Sequence, residues 1–153
     1  MACLQKSGIS LIWLLCAPLL AAAGELAGVE DAVRAKNNYM LNCQGCHGPL
    51  GEGNTRAEVP RMQGFVGNFL RVEGGREFMV QVPGSANTGL GDQALAELLN
   101  WMLPTMSGTS LPGRFVPYGT EEVARLRKSP EIDVIGRRAG LIEAMQAQGI
   151  ETD

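Results

Sequence analysis

The sequence predicts an all-α domain, and three observations carry that expectation. Apolar residues recur at three-to-four spacing from Gly28 to Cys43, and again, most clearly, from Asp92 to Leu103. A third helical pattern runs from Ile132 to Ala147, and no strand signal precedes residue 43.

The N-terminus reads as a segment that never joins the fold. Met1 to Gly8 carries one cation, Lys6; an apolar run from Ile9 to Leu20 follows, and Ala21, Ala22 and Ala23 precede the first acid, Glu25. That order is a secretory leader, with cleavage expected near Ala23 and a periplasmic destination. The apolar run is shorter than the roughly 20 residues a membrane span needs, so no stable membrane anchor is expected. Cys16 follows Leu15, a bulkier side chain than a lipid-attachment site takes. The expected organisation is a signal peptide at 1–23, a domain at 24–104 and a C-terminal extension at 105–153.

From Gly28 to Cys43 a helix is expected, with Val29, Val33, Lys36, Tyr39 and Met40 on one stripe and Glu30 and Asp31 in a first turn where the helix dipole favours acids. After His47, Gly48, Pro49, Gly51, Gly53 and Pro60 punctuate a stretch that reads as a wrapping loop. Phe65, Phe69 and Leu70 suggest a short helix broken at Gly74-Gly75, Glu77 to Val82 an extended piece, and Pro83-Gly84 a turn. In the clearest helix Asp92 serves as cap or first-turn acid, and Leu95, Leu98, Leu99, Met102 and Leu103 form a stripe ending before Pro104. Beyond it, Gly108, Pro112, Gly113 and Pro117 mark a surface strap. Thr120 is the expected cap of a short helix, and Pro130 precedes the final one.

Charge excludes one class of partner. The formal net charge is −3, and loss of the leader, whose single charge is Lys6, makes the chain more acidic. No basic stripe exists, so nucleic acid is not an expected partner; a steered partner should present a basic patch.

Export removes Cys3 and Cys16 and leaves Cys43 and Cys46, three apart and followed at once by His47, the one histidine of the chain. Asn42-Cys43-Gln44-Gly45-Cys46-His47-Gly48 holds Cys-x-x-Cys-His, the attachment signature for c-type haem. Two thiols must add to two vinyl groups on one porphyrin edge while the next residue turns an imidazole under the iron, and a short helical turn places all three on one side. A zinc site would need four ligands, a thioredoxin-like dithiol a βαβ setting, and a plain disulfide neither. One motif implies one haem c.

Over Gly28 to Leu103 the chain resembles the class I cytochrome c family. The resemblance implies a first helix that closes on the haem motif and a last helix crossing it, with Tyr39 as the family's aromatic, Ala35 as the small contact residue, and Leu98 and Trp101 on the facing side. It also implies that Pro60 is the proline whose carbonyl orients His47. Where the family carries Met-Pro as the sixth-ligand signature, this chain has Val82-Pro83; the nearest methionine, Met79, is the expected sixth ligand, with Met62, Met102 and Met106 as the others in reach.

The expected function is one-electron transfer between a periplasmic dehydrogenase and an oxidase or second cytochrome, since no cluster of acids, bases or nucleophiles resembles an active site. Two rivals are a haem with an open distal face that binds or reduces a small ligand, and a haem subunit of a larger redox complex.

Overall fold

A computed structural model describes residues 26–152. The expected leader, its cleavage point at Ala23, and Cys3 and Cys16 lie outside the described residues.

The first helix, α1 (Ala32–Asn42), starts later than the periodicity suggests, because Asp31 is its N-cap. The Asp31 carboxylate accepts from the N–H groups of Val33 and Arg34, both at 2.9 Å. The buried face is also a different one. Ala35 and Tyr39 are fully buried, whereas Val33 is 69% and Met40 47% exposed.

A single turn, α2 (Gln44–His47), follows. The chain then loops through a short 3₁₀ turn at Thr55–Ala57, capped by the Asn54 side chain. Gly53 has φ +73° and carries its N–H to the His47 carbonyl at 2.9 Å; a Cβ there would meet the Val59 carbonyl oxygen at 2.6 Å. Only glycine lets the loop close this tightly beneath His47.

A 3₁₀ helix at Val66–Arg71 leads into α3 (Gly75–Gln81), α4 (Pro83–Ala86) and α5 (Asp92–Met106). The expected extended piece at Glu77 to Val82 is therefore helical: Phe78, Met79 and Val80 are consecutive and all buried, which a strand with one solvated face does not permit. Pro83 opens α4 at the first helical position, where its missing N–H costs nothing. In α5 the expected stripe is buried as read, and Asp92 is a first-turn acid behind the N-cap Gly91. The helix does not stop before Pro104. It continues to Met106, the proline sitting inside its last turn, where one backbone bond is lost and the helix ends soon after.

The α1–α5 crossing is the frame of the fold. Tyr39 and Trp101 meet there with ring centroids 5.7 Å apart, and the Tyr39 hydroxyl donates to the Gly48 carbonyl at 2.6 Å. Glu97 of α5 pins the start of α1, accepting from the N–H groups of Glu30 and Asp31 and from Arg34 at 2.8 to 2.9 Å.

Beyond α5 the chain runs back over the molecule and forms α6 (Thr120–Leu126) and α7 (Val134–Ala147). Thr120 is not the cap of α6; Gly119 is, and Thr120 already lies in the first turn. Tyr118, Val123, Leu126, Leu141 and Met145 join the same buried cluster as α5 and the phenylalanines. The strap passes so close to Gly67 that a Cβ there would meet the Leu111 nitrogen at 2.6 Å.

Candidate functional site

A cavity of about 390 Å³ opens between α2, the loop after it, α3, α5 and the start of α7. Cys43, Cys46, His47, Pro60 and Met79 all line it. Residues far apart in sequence thus face one space, whose apolar wall includes Phe69, Phe78, Leu95, Leu98 and Leu99.

The turn that presents the first three is built by backbone bonds alone. The N–H groups of Cys46 and His47 donate to the Cys43 carbonyl at 3.2 and 3.0 Å, and Gly48 closes the turn on Gln44 at 2.8 Å. Both thiols are free, Cys43 half-buried and Cys46 exposed. Burial, then the neighbouring Cys46, pushes the Cys43 thiol up to about 11. Dithiol oxidoreductases lower a thiol pKa to make a nucleophile, so the environment here is the reverse of theirs. Among the described residues no group of three or more His, Cys, Asp and Glu is arranged to hold a metal ion.

His47 is half-buried, and burial depresses its imidazole below the ordinary histidine range, with the Pro60 backbone opposing that shift. Its Nδ1 is nevertheless buried with no hydrogen bond of good geometry. The proline is beside the ring, as the sequence suggests, while the bond to it is not made.

Met79 reaches the cavity because α3 is a helix. Three residues is close to one helical turn, so Met79 and Val82 share a face, and both line the space. Met62 and Met102 line it too, whereas Met106 is buried elsewhere. The far wall, from Val82 to Leu90, is held from outside: the Arg127 guanidinium donates to the carbonyls of Ala86, Thr88 and Leu90 at 3.2, 2.7 and 2.7 Å and pairs with Asp92 at 3.0 Å.

Sequence reasoning missed Val134 and Arg138, which line the cavity from α7. No short-range signal announces them, since both reach the site through tertiary packing. A second concavity of about 430 Å³ lies near Leu26 to Glu30 and Gln93. Its buried Glu97 and Tyr118 are already hydrogen-bonded.

A cytochrome c-552 of Thermus thermophilus is 30% identical to the chain over 120 residues, 67% of this chain and 80% of the relative. The chain belongs to the class I c-type cytochrome family. A second cytochrome c-552 of the same species is 30% identical over 103 residues, 56% of this chain and 78% of the relative. No family model matches the chain, and no solved structure does. The helical fold, free of strands among the described residues, is that expected of this cytochrome family.

Proposed function

We propose that this c-type cytochrome binds a single haem c in the 390 Å³ cavity, with thioethers to Cys43 and Cys46, His47 as proximal iron ligand and Met79 as distal ligand. The observation that carries the reading is that Cys43, Cys46, His47, Pro60 and Met79 converge on one apolar cavity. Haem c supplies a one-electron couple at iron, and the protein's work is to hold it, keep water from it and set its potential.

Each residue has a task in that work. Cys43 and Cys46 fix one porphyrin edge to α2, Pro60 lies where its carbonyl would accept from the Nδ1 that is unpaired here and so steer His47, and the phenylalanine and leucine wall lowers the local dielectric. Met79 suits the distal role better than Met62, because Met62 belongs to the His47 side: its N–H bonds Gly51 at 2.7 Å in the loop beneath that residue. A thioether there raises the potential relative to harder ligation. Rigid surroundings keep reorganisation small, and here the far wall is locked by Arg127.

The carrier operates in the periplasm after cleavage near Ala23, taking electrons from a dehydrogenase and passing them to an oxidase or another cytochrome. Among the described residues no helix is long and apolar enough to cross a membrane. With a net charge of −3, it favours partners offering a basic patch. Residues 105–152 pack on the haem domain, sharing its buried cluster.

Two measurements test the site. A haem stain of the denatured protein should light the band in wild type and lose it in Cys43→Ala/Cys46→Ala; an unstained wild type from cells competent in haem attachment overturns the reading. The oxidised protein should show the weak far-red band of methionine ligation, lost in Met79→Ala together with a gain in carbon monoxide binding. A band that survives Met79→Ala and disappears in Met102→Ala or Met62→Ala moves the distal ligand to that residue. A wild type that lacks the band and binds carbon monoxide fast puts the open-site rival first.

A further inference from the structure

Arg138 stands apart from the other arginines that are drawn into the fold. Arg34, Arg76 and Arg127 each hold a carboxylate, on Glu97, Glu122 and Asp92 at 2.8, 2.6 and 3.0 Å. Arg138 makes no hydrogen bond or ion pair among the described residues; its guanidinium lies 5.9 Å from the centre of the buried Phe65 ring and faces the cavity. The charged side chains of the cavity lining are Arg61 and Glu58 from the loop and Arg138 from α7. Two guanidinium groups against one carboxylate make this lining cationic within a chain of net charge −3.

We propose that Arg138 binds a haem propionate, so that α7 of the extension completes the haem site rather than merely covering it. The inference rests on the haem reading above. Haem c brings two carboxylates on the macrocycle edge away from its thioether bonds. Such a group, entering an apolar cavity, requires a charge-assisted partner to offset its desolvation. A guanidinium seated on an aromatic face, planar and always protonated, is preorganised for a carboxylate. The consequence is electrostatic. Ferric haem carries one more positive charge than ferrous haem, so a cation beside the cofactor disfavours the ferric state directly, and neutralising a propionate does so a second time. Arg138 therefore raises the reduction potential.

The test is the reduction potential of purified, haem-loaded protein in three variants. Arg138→Gln should move the equilibrium about threefold to tenfold toward the ferric form, tenfold being about 59 mV for one electron. Arg137→Gln, which removes the same charge one residue away from a side chain that does not line the cavity, should leave most of that shift absent. Arg138→Met keeps an apolar stem against Phe65 and serves if the glutamine variant does not mature; it should shift the potential as Arg138→Gln does. An unchanged potential in both Arg138 variants, or an equal shift in Arg137→Gln, overturns the proposal while covalent haem remains. Absence of covalent haem from the wild type is instead a failure of the haem reading itself.

Discussion

The α1–α5 crossing and the attachment of the extension solve the same packing problem by different means. At the crossing an aromatic pair, Tyr39 and Trp101, and the small Ala35 bring two helices together, and one buried carboxylate, Glu97, gathers four donors at the seam. The extension buries Tyr118, Val123, Leu126, Leu141 and Met145 in the same core and is tied in addition by side chains that reach across to backbone carbonyls. Arg127 takes three, Arg76 takes those of Val116 and Pro117 together with Glu122, and Asn100 donates to Tyr118 while accepting from its N–H. Apolar contact is tolerant of small shifts, while a guanidinium fork is specific in direction. The crossing therefore sets the stability of the frame, and the guanidinium ties set the shape of the cavity's far wall.

The largest effect should come from breaking the crossing. Tyr39→Ala removes a side chain 1% exposed together with its bond to Gly48, and denaturant titration should show a loss of about 3–5 kcal/mol. Trp101 is only half-buried, so Trp101→Ala should cost clearly less. Equal losses would contradict the placement of the two rings.

Arg127→Ala tests the other region. It should cost about 2–4 kcal/mol, since it strips charge-assisted bonds from three carbonyls and Asp92. Unlike Tyr39→Ala, it should also speed carbon monoxide binding to the reduced protein by freeing the segment Ala86 to Asp92. A destabilised variant with unchanged ligand access would show that the wall does not depend on this tie.

The smallest effect is at the seam. Burial acts to raise the Glu97 carboxyl, but Arg34 and the N–H groups of Asp31 and Glu30 outweigh it and hold the group below the ordinary carboxylate range. Because the folded value is the lower one, the stability Glu97 contributes is present above the unfolded value, about pH 4.3, and is lost as pH falls through the folded one. Glu97→Gln should cost about 1–3 kcal/mol at neutral pH and flatten the acid side of the stability profile. Glu122, held low by Arg76 in the same way, adds to the acid slope. An unaltered slope in Glu97→Gln would assign the acid loss elsewhere.

What is legible in the sequence follows the same divide. The haem turn and the two helices of the frame can be read because their signals are local, two cysteines three apart with a histidine next and a leucine stripe of helical period, whereas the crossing of those helices at Ala35, Tyr39 and Trp101 comes from the family resemblance. The buried face of α1 escapes such a reading, since Val33 and Met40 are as apolar as Tyr39 and only the position of α5 decides which side is covered. The segment Glu77 to Val82 misleads because a short apolar run, Phe78-Met79-Val80, bounded by Gly74-Gly75 and Pro83-Gly84 fits a buried strand as well as a buried helix, and tertiary packing decides between them. Arg138 and Arg127 are invisible for a third reason: their partners lie far off in sequence, and a guanidinium on an exposed-looking helix gives no sign of what it faces.

The most direct test of the central claim is the visible spectrum of the purified protein, oxidised and reduced, with wild type compared to His47→Ala. One low-spin, reversibly reducible haem that remains with the chain after denaturation, and loses its low-spin character when the single imidazole is replaced, is the predicted result. A native low-spin spectrum in His47→Ala without added imidazole would contradict it.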